Sequence, residues 1–174
     1  DKARLNNPVW HIHGGNVPKS KMVVPFSMLL NLASVSGAED KNHLWSFIQR
    51  YAPDASAQTN PDLDAAVGFA VCYYNDFVKP AKTFRAPSDL EREALIALRD
   101  GLTFWDQGLD ADALQSLVFS CGRDRFDQMR DWFKALYEVL LGASQGPRFG
   151  GFIALLGIKE SVALINKGLA GELS

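Results

Sequence analysis

The sequence predicts an all-α fold, and three observations carry the prediction. Apolar residues recur at helical spacing over most of the chain, capping residues and prolines open those runs, and no stretch alternates as a strand does. With 174 residues, 47% hydrophobic and 22% charged, the chain can bury one sizeable core. About eight helices of unequal length, joined by short loops, suit an irregular bundle or cage better than a regular up-and-down one.

Residues 1–24 stand apart. Asn6-Asn7-Pro8, Gly14-Gly15-Asn16 and Pro18 interrupt any periodicity, so this stretch reads as an extended or looped lead-in. Pro25 then suits the first turn of a helix through Phe26, Leu29, Leu30 and Ala33, ending near Gly37. A helix from about Glu39 to Tyr51 has acidic residues at its start, Leu44, Phe47 and Ile48 as its apolar face, and Pro53 beyond its end. Asn60-Pro61 opens a long core helix, in which Leu63, Val67, Ala70, Val71, Tyr74, Phe77 and Val78 recur up to Pro80.

Ser88 and Glu91 form a capping box ahead of Leu90, Ala94, Leu95, Leu98 and Leu102. Asp110 can cap a helix ending at Cys121-Gly122. The longest amphipathic run follows, with Phe126, Met129, Phe133, Leu136, Tyr137 and Leu140 inward, and it closes at Gly142. Two short helices, about Phe149–Leu156 and Lys159–Lys167, complete the chain.

The charge pattern limits the function classes. A net charge of -2 argues against a chain that coats nucleic acid over its whole surface, so a polyanion site must be a local patch. Residues 1–87 carry nine Lys/Arg against seven Asp/Glu, and residues 88–174 carry nine against thirteen, so the basic face should draw mostly on the first half. The two cysteines, Cys72 and Cys121, have no metal spacing and read as inert core residues of a reducing compartment. With no signal peptide and no apolar run near 18 residues, the expected location is the cytoplasm, without a membrane. The chain opens on Asp1 rather than Met, as a piece of a longer protein would.

Catalytic signatures are missing: there is no Walker loop, Gly-x-Ser-x-Gly elbow, His-Glu-x-x-His or dinucleotide fingerprint. His11 and His13 would share one side of an extended segment, and with His43 they are all the histidines, too few to define a metal centre. Lys19-Ser20-Lys21-Met22 reads as a solvated basic loop.

Two stretches carry the binding expectation. Gly146-Pro147-Arg148-Phe149-Gly150-Gly151 sets an arginine and an aromatic in a glycine-rich turn directly before an apolar helix. Glycines allow close backbone approach, and a helix start offers N–H groups and positive potential to a phosphate. The same residues also read as a packed helix start with Phe149 and Phe152 folded inward. Lys79-Pro80-Ala81-Lys82-Thr83-Phe84-Arg85 places three cations and a ring in a proline-bounded loop, which suits single-stranded RNA or, equally, an ordinary basic connection with Phe84 tucked into the core. Lys79, Lys82, Phe84, Arg85, Arg148 and Phe149 are the candidate RNA contacts; Arg148 is expected to face outward while Phe152, Ile153 and Leu156 pack.

Five blocks in order give a resemblance: Trp10-His11-Ile12-His13; Pro25-Phe26-Ser27-Met28-Leu29-Leu30-Asn31-Leu32; Trp45-Ser46-Phe47-Ile48 with Arg50-Tyr51-Ala52-Pro53; Tyr73-Tyr74-Asn75-Asp76-Phe77-Val78-Lys79-Pro80; and Gly146-Pro147-Arg148-Phe149-Gly150. Together they resemble the C-terminal part of class I lysyl-tRNA synthetases. The resemblance implies an α-helical cage related to the anticodon-binding region of glutamyl-tRNA synthetases, with residues 25–174 as the anticodon-binding domain and residues 1–24 leading in from a catalytic domain. It implies for the parent protein ATP-dependent attachment of lysine to its tRNA, with magnesium. For this chain it implies the tRNA anticodon stem-loop and the parent's catalytic domain as partners, no DNA, no cofactor of its own and no catalysis. Two rival expectations are a helical protein-interaction module without RNA specificity and a small all-α metalloenzyme using the histidines.

Overall fold

A computed structural model of the chain describes residues 6, 8–16, 23–37 and 40–173, except for the side chain of Val9. The Lys19-Ser20-Lys21-Met22 loop and Glu39 lie outside the described residues. Among the described residues there are nine α-helices and no strand.

The first helix is one the sequence does not predict. Helix α1, Pro8–Ile12, interrupts the expected extended lead-in. Pro8, which reads as a breaker, stands at the first helical position, where a missing N–H costs nothing. His11 therefore lies in a helix and His13 in the turn after it, so the same-side argument for an extended His11-Ile12-His13 does not hold. No group of three or more His, Cys, Asp or Glu could hold a metal among the described residues.

Helix α2, Phe26–Ser36, starts after Pro25 and ends at Gly37, whose φ of 59° lets its N–H reach back to Ala33 O. Helix α3, Lys41–Tyr51, is capped by Asp40, which accepts from His43 N at 2.9 Å. Helix α4, Pro61–Tyr73, runs on into a π turn, Tyr74–Val78, and a 3-10 turn, Lys79–Ala81. Helix α5, Asp89–Thr103, has the predicted capping box, and α6, Ala111–Arg123, has the predicted Asp110 cap on Asp112 N and Ala113 N.

Helix α7, Met129–Leu136, also ends in a π turn, Tyr137–Leu141, closed by Gly142 at φ 64°. Its largest inward residue is Trp132, absent from the predicted stripe: it is fully buried, donates from Nε1 to Val118 O at 2.9 Å and lies directly over Gly122. Helix α8, Phe149–Leu156, meets α9, Ile158–Ala170, at 113° across Gly157. No single described helix is long and apolar enough to cross a membrane.

The core gathers around α8. This helix packs against α2, α3, α6 and α9, and every residue from Phe149 to Leu156 except Gly151 is buried. A helix apolar on all sides belongs inside, and here the longer amphipathic helices close around it. Gly150 permits the tightest crossing, because a Cβ there would run into the backbone of α6 at Ala111 and Gln115. Cys121 is buried as expected, whereas Cys72 is exposed: position 72 lies outside the stripe of Leu63, Val67, Ala70 and Val71 that α4 buries.

Candidate nucleic-acid interface

The glycine-rich stretch turns out to serve packing. Phe149 is 2% exposed, with its ring 6.1 Å from Tyr137 and 5.7 Å from Phe152, so it offers no face to a base. Gly150 N donates to the buried Gln115 Oε1 at 2.8 Å, which takes up one of the helix-start N–H groups expected to cradle a phosphate. Gly146 allows close approach to the ring of Tyr137, 2.6 Å from where a Cβ would stand. The predicted grip thus holds neighbouring helices. Arg148 does face outward, and its Nη1 lies 2.9 Å from Asp112 Oδ1, with 63% and 81% of the two side chains exposed.

The second stretch divides its cations. Lys79 is exposed. Lys82 folds inward, donating from Nζ to Ser34 O at 2.6 Å and lying 5.0 Å from the Phe84 ring centroid and 5.5 Å from that of Tyr74. Burial pushes its ammonium down to about 8, while the carbonyl and the two ring faces favour the charged form. Phe84 is half-buried against Gly142.

Arg85 is committed within the protein. It pairs bidentately with Glu91 at 2.7 Å and reaches Glu138 Oε2 with Nε at 2.7 Å. These hydrogen bonds raise the guanidinium further and hold both carboxyls below their usual range. Two acids around one arginine leave no net positive charge for a phosphate. Of the six candidates, Lys79 and Arg148 project their charge outward.

The structure joins what the sequence shows as separate stretches. Thr83 N donates to Gly142 O at 3.1 Å, and Tyr137 Oη donates to Pro147 O at 2.9 Å, so both loops are tied to the π turn that ends α7. Between this turn and the one that ends α4 lies a cavity of about 730 Å³. Phe77, Asn31, Lys82, Thr83, Glu138 and Leu141 are among the residues that line it.

Leu90, read as part of the α5 stripe, is 43% exposed, and sequence reasoning also places Phe77 wrongly. Predicted for the core stripe, it is 63% exposed, with its ring 5.1 Å from that of Tyr73. The wide π turn takes it off the 3.6-residue period on which that prediction rests, and the signal that could have flagged the turn is Pro80, which cannot continue a regular helix. Phe69, Tyr73 and Phe77, four residues apart, form an exposed aromatic file along α4 and its π turn.

Several known proteins similar to this chain are lysine–tRNA ligases. It is 71% identical over 170 residues to a lysine–tRNA ligase of Roseobacter denitrificans, covering 98% of this chain and 32% of that protein. It is 44% identical over 168 residues to lysine–tRNA ligases of Rickettsia felis and Rickettsia bellii, covering 95% of this chain and 32% of each relative. No protein-family model matches, and no solved structure does. The chain spans about a third of the length of the curated relatives it matches. Homologous over nearly all of its own length, it belongs to the lysine–tRNA ligase family and corresponds to a region of such an enzyme.

Proposed function

We propose that this chain is the tRNA-binding region of a class I lysine–tRNA ligase and holds the anticodon stem and loop. The parent enzyme would join lysine to tRNA using ATP and magnesium in the cytoplasm, with the chemistry in a catalytic domain outside this chain. On this reading residues 1–24 lead in from that domain and residues 25–174 form the binding unit, non-catalytic by itself. The observation that carries the reading is extended similarity to lysine–tRNA ligases in an all-helical chain whose sequence has no nucleotide-binding motif.

The test is titration of the chain with a lysine-tRNA anticodon stem-loop and a scrambled-anticodon control at two salt concentrations. Tighter binding of the cognate loop, weakening steeply as salt rises, is the expected outcome. Equal binding of both loops would reduce recognition to general RNA affinity.

A second reading rests on Phe69 and Tyr73, 66% and 46% exposed on α4. Such a face suits docking onto the rest of the parent protein. Salt-insensitive association with the remaining two thirds of the enzyme would identify it.

A further inference from the structure

The cavity between the two π turns has the parts needed to receive one unpaired base. Its volume of about 730 Å³ holds a nucleoside with room to spare. Phe77 gives an exposed flat ring at the edge, and aromatic faces stack bases of any identity. Leu30, Val78, Ala81 and Leu141 make much of the lining apolar, which suits the body of a base better than a phosphate.

The polar groups are few and differ in kind. Lys82 supplies an ammonium that lies over the Tyr74 and Phe84 rings and has protons beyond the one given to Ser34 O, and the Thr83 hydroxyl can both donate and accept. Asn31 donates from Nδ2 to Ser27 O at 2.6 Å, which orients its amide and leaves Oδ1 as an acceptor.

Charge also favours a nucleotide. Arg85 occupies the carboxylate of Glu138, while Lys82 lines the same cavity as Phe77. Lys79, two residues beyond Phe77 and exposed, can meet a backbone phosphate outside while the base enters. An apolar peptide segment would use the ring and the lining but would leave the exposed ammonium of Lys79 unmatched.

We propose that this cavity is a single-base subsite for an unpaired nucleotide of an RNA loop, with the base stacked on Phe77, its polar edge at Lys82, Thr83 and Asn31, and its phosphate at Lys79. The proposal deepens the tRNA-binding reading and rests on it.

The experiment is a coupling cycle using the chain and synthetic lysine-tRNA anticodon stem-loops in which each loop base in turn is replaced by an abasic site. For the unmodified chain, one abasic position should cost about tenfold or more in affinity. Phe77→Ala should weaken the intact loop by a similar factor and bind that abasic loop no worse than the intact one. Lys82→Met is the second variant, and 2-aminopurine at the same position should lose fluorescence on binding to the unmodified chain but not to Phe77→Ala.

If the chain binds the loops yet every abasic penalty persists in both variants, the subsite is wrong and the RNA-binding reading stands. If the unmodified chain binds no loop at low salt, both are wrong. Because Phe77 is exposed, its replacement should leave thermal unfolding unchanged, and a melting curve run alongside checks this.

Discussion

Single residues in this protein have roles that residue type alone does not disclose. Lys82 reads from sequence as a surface cation, yet it is drawn inward far enough to lower its ammonium to about 8. Between that value and the ordinary lysine range near 10.5 the unfolded chain binds a proton that the native chain does not, so stability should rise with pH across this window and be lower and flat below it. Urea unfolding of the unmodified chain and of Lys82→Met from pH 7 to 10.5 tests the sign: the difference between the two curves should shift toward the unmodified chain as pH rises. Gly150 and Gln115 are a second such pair. Gly150→Ala drives a methyl into the α6 backbone and should destabilise by about 3 kcal/mol or more, whereas Gln115→Ala leaves a buried N–H unpaired for about 1–3 kcal/mol, both measured by denaturant unfolding. The glycine-rich stretch was legible as a place of close approach, but not as to what approaches, because a glycine shows that room is needed and says nothing about whether ligand or helix fills it.

Helices were legible wherever a local rule decides them. The Ser88–Glu91 box and the Asp110 cap form as read, since each is set within three residues of chain. Ser88→Ala should therefore cost about 1 kcal/mol in thermal or urea unfolding. Both π turns escaped the reading, since a helical wheel has no place for an extra residue, and with them went Phe77 and the cavity they frame. Arg85 binds these elements together, linking the connecting loop to the start of α5 through Glu91 and to the end of α7 through Glu138. The two carboxyls are held low mainly by their hydrogen bonds to Arg85, so the stabilisation they give is complete above the usual carboxylate range and is lost as pH falls through their lowered values. Arg85→Ala should flatten that acid-side loss, which unfolding curves between pH 2 and 6 would show.

For the molecule as a whole, the electrostatic question is how a chain with a net charge of -2 attracts RNA. Arg148 shares its charge with Asp112 in a pair exposed enough to be worth about 1 kcal/mol at most. Arg148→Ala should still weaken anticodon-loop binding by about 1–3 kcal/mol, because exchanging a carboxylate for a phosphate costs such a pair little. Asp112→Asn should do the reverse, tightening binding at low salt with little change in melting temperature. The π turn after α4 has one more consequence, for variation in length. A π turn is an α-helix with one residue inserted and absorbed in a wider turn, so removing Asn75 would restore the regular winding while the chain after it kept nearly its present direction. Phe77 and Lys79 would keep nearly their present aim, and the loss would fall on the width of the turn, so the cavity that this turn helps to line depends on the count of residues before Pro80 as much as on their identity.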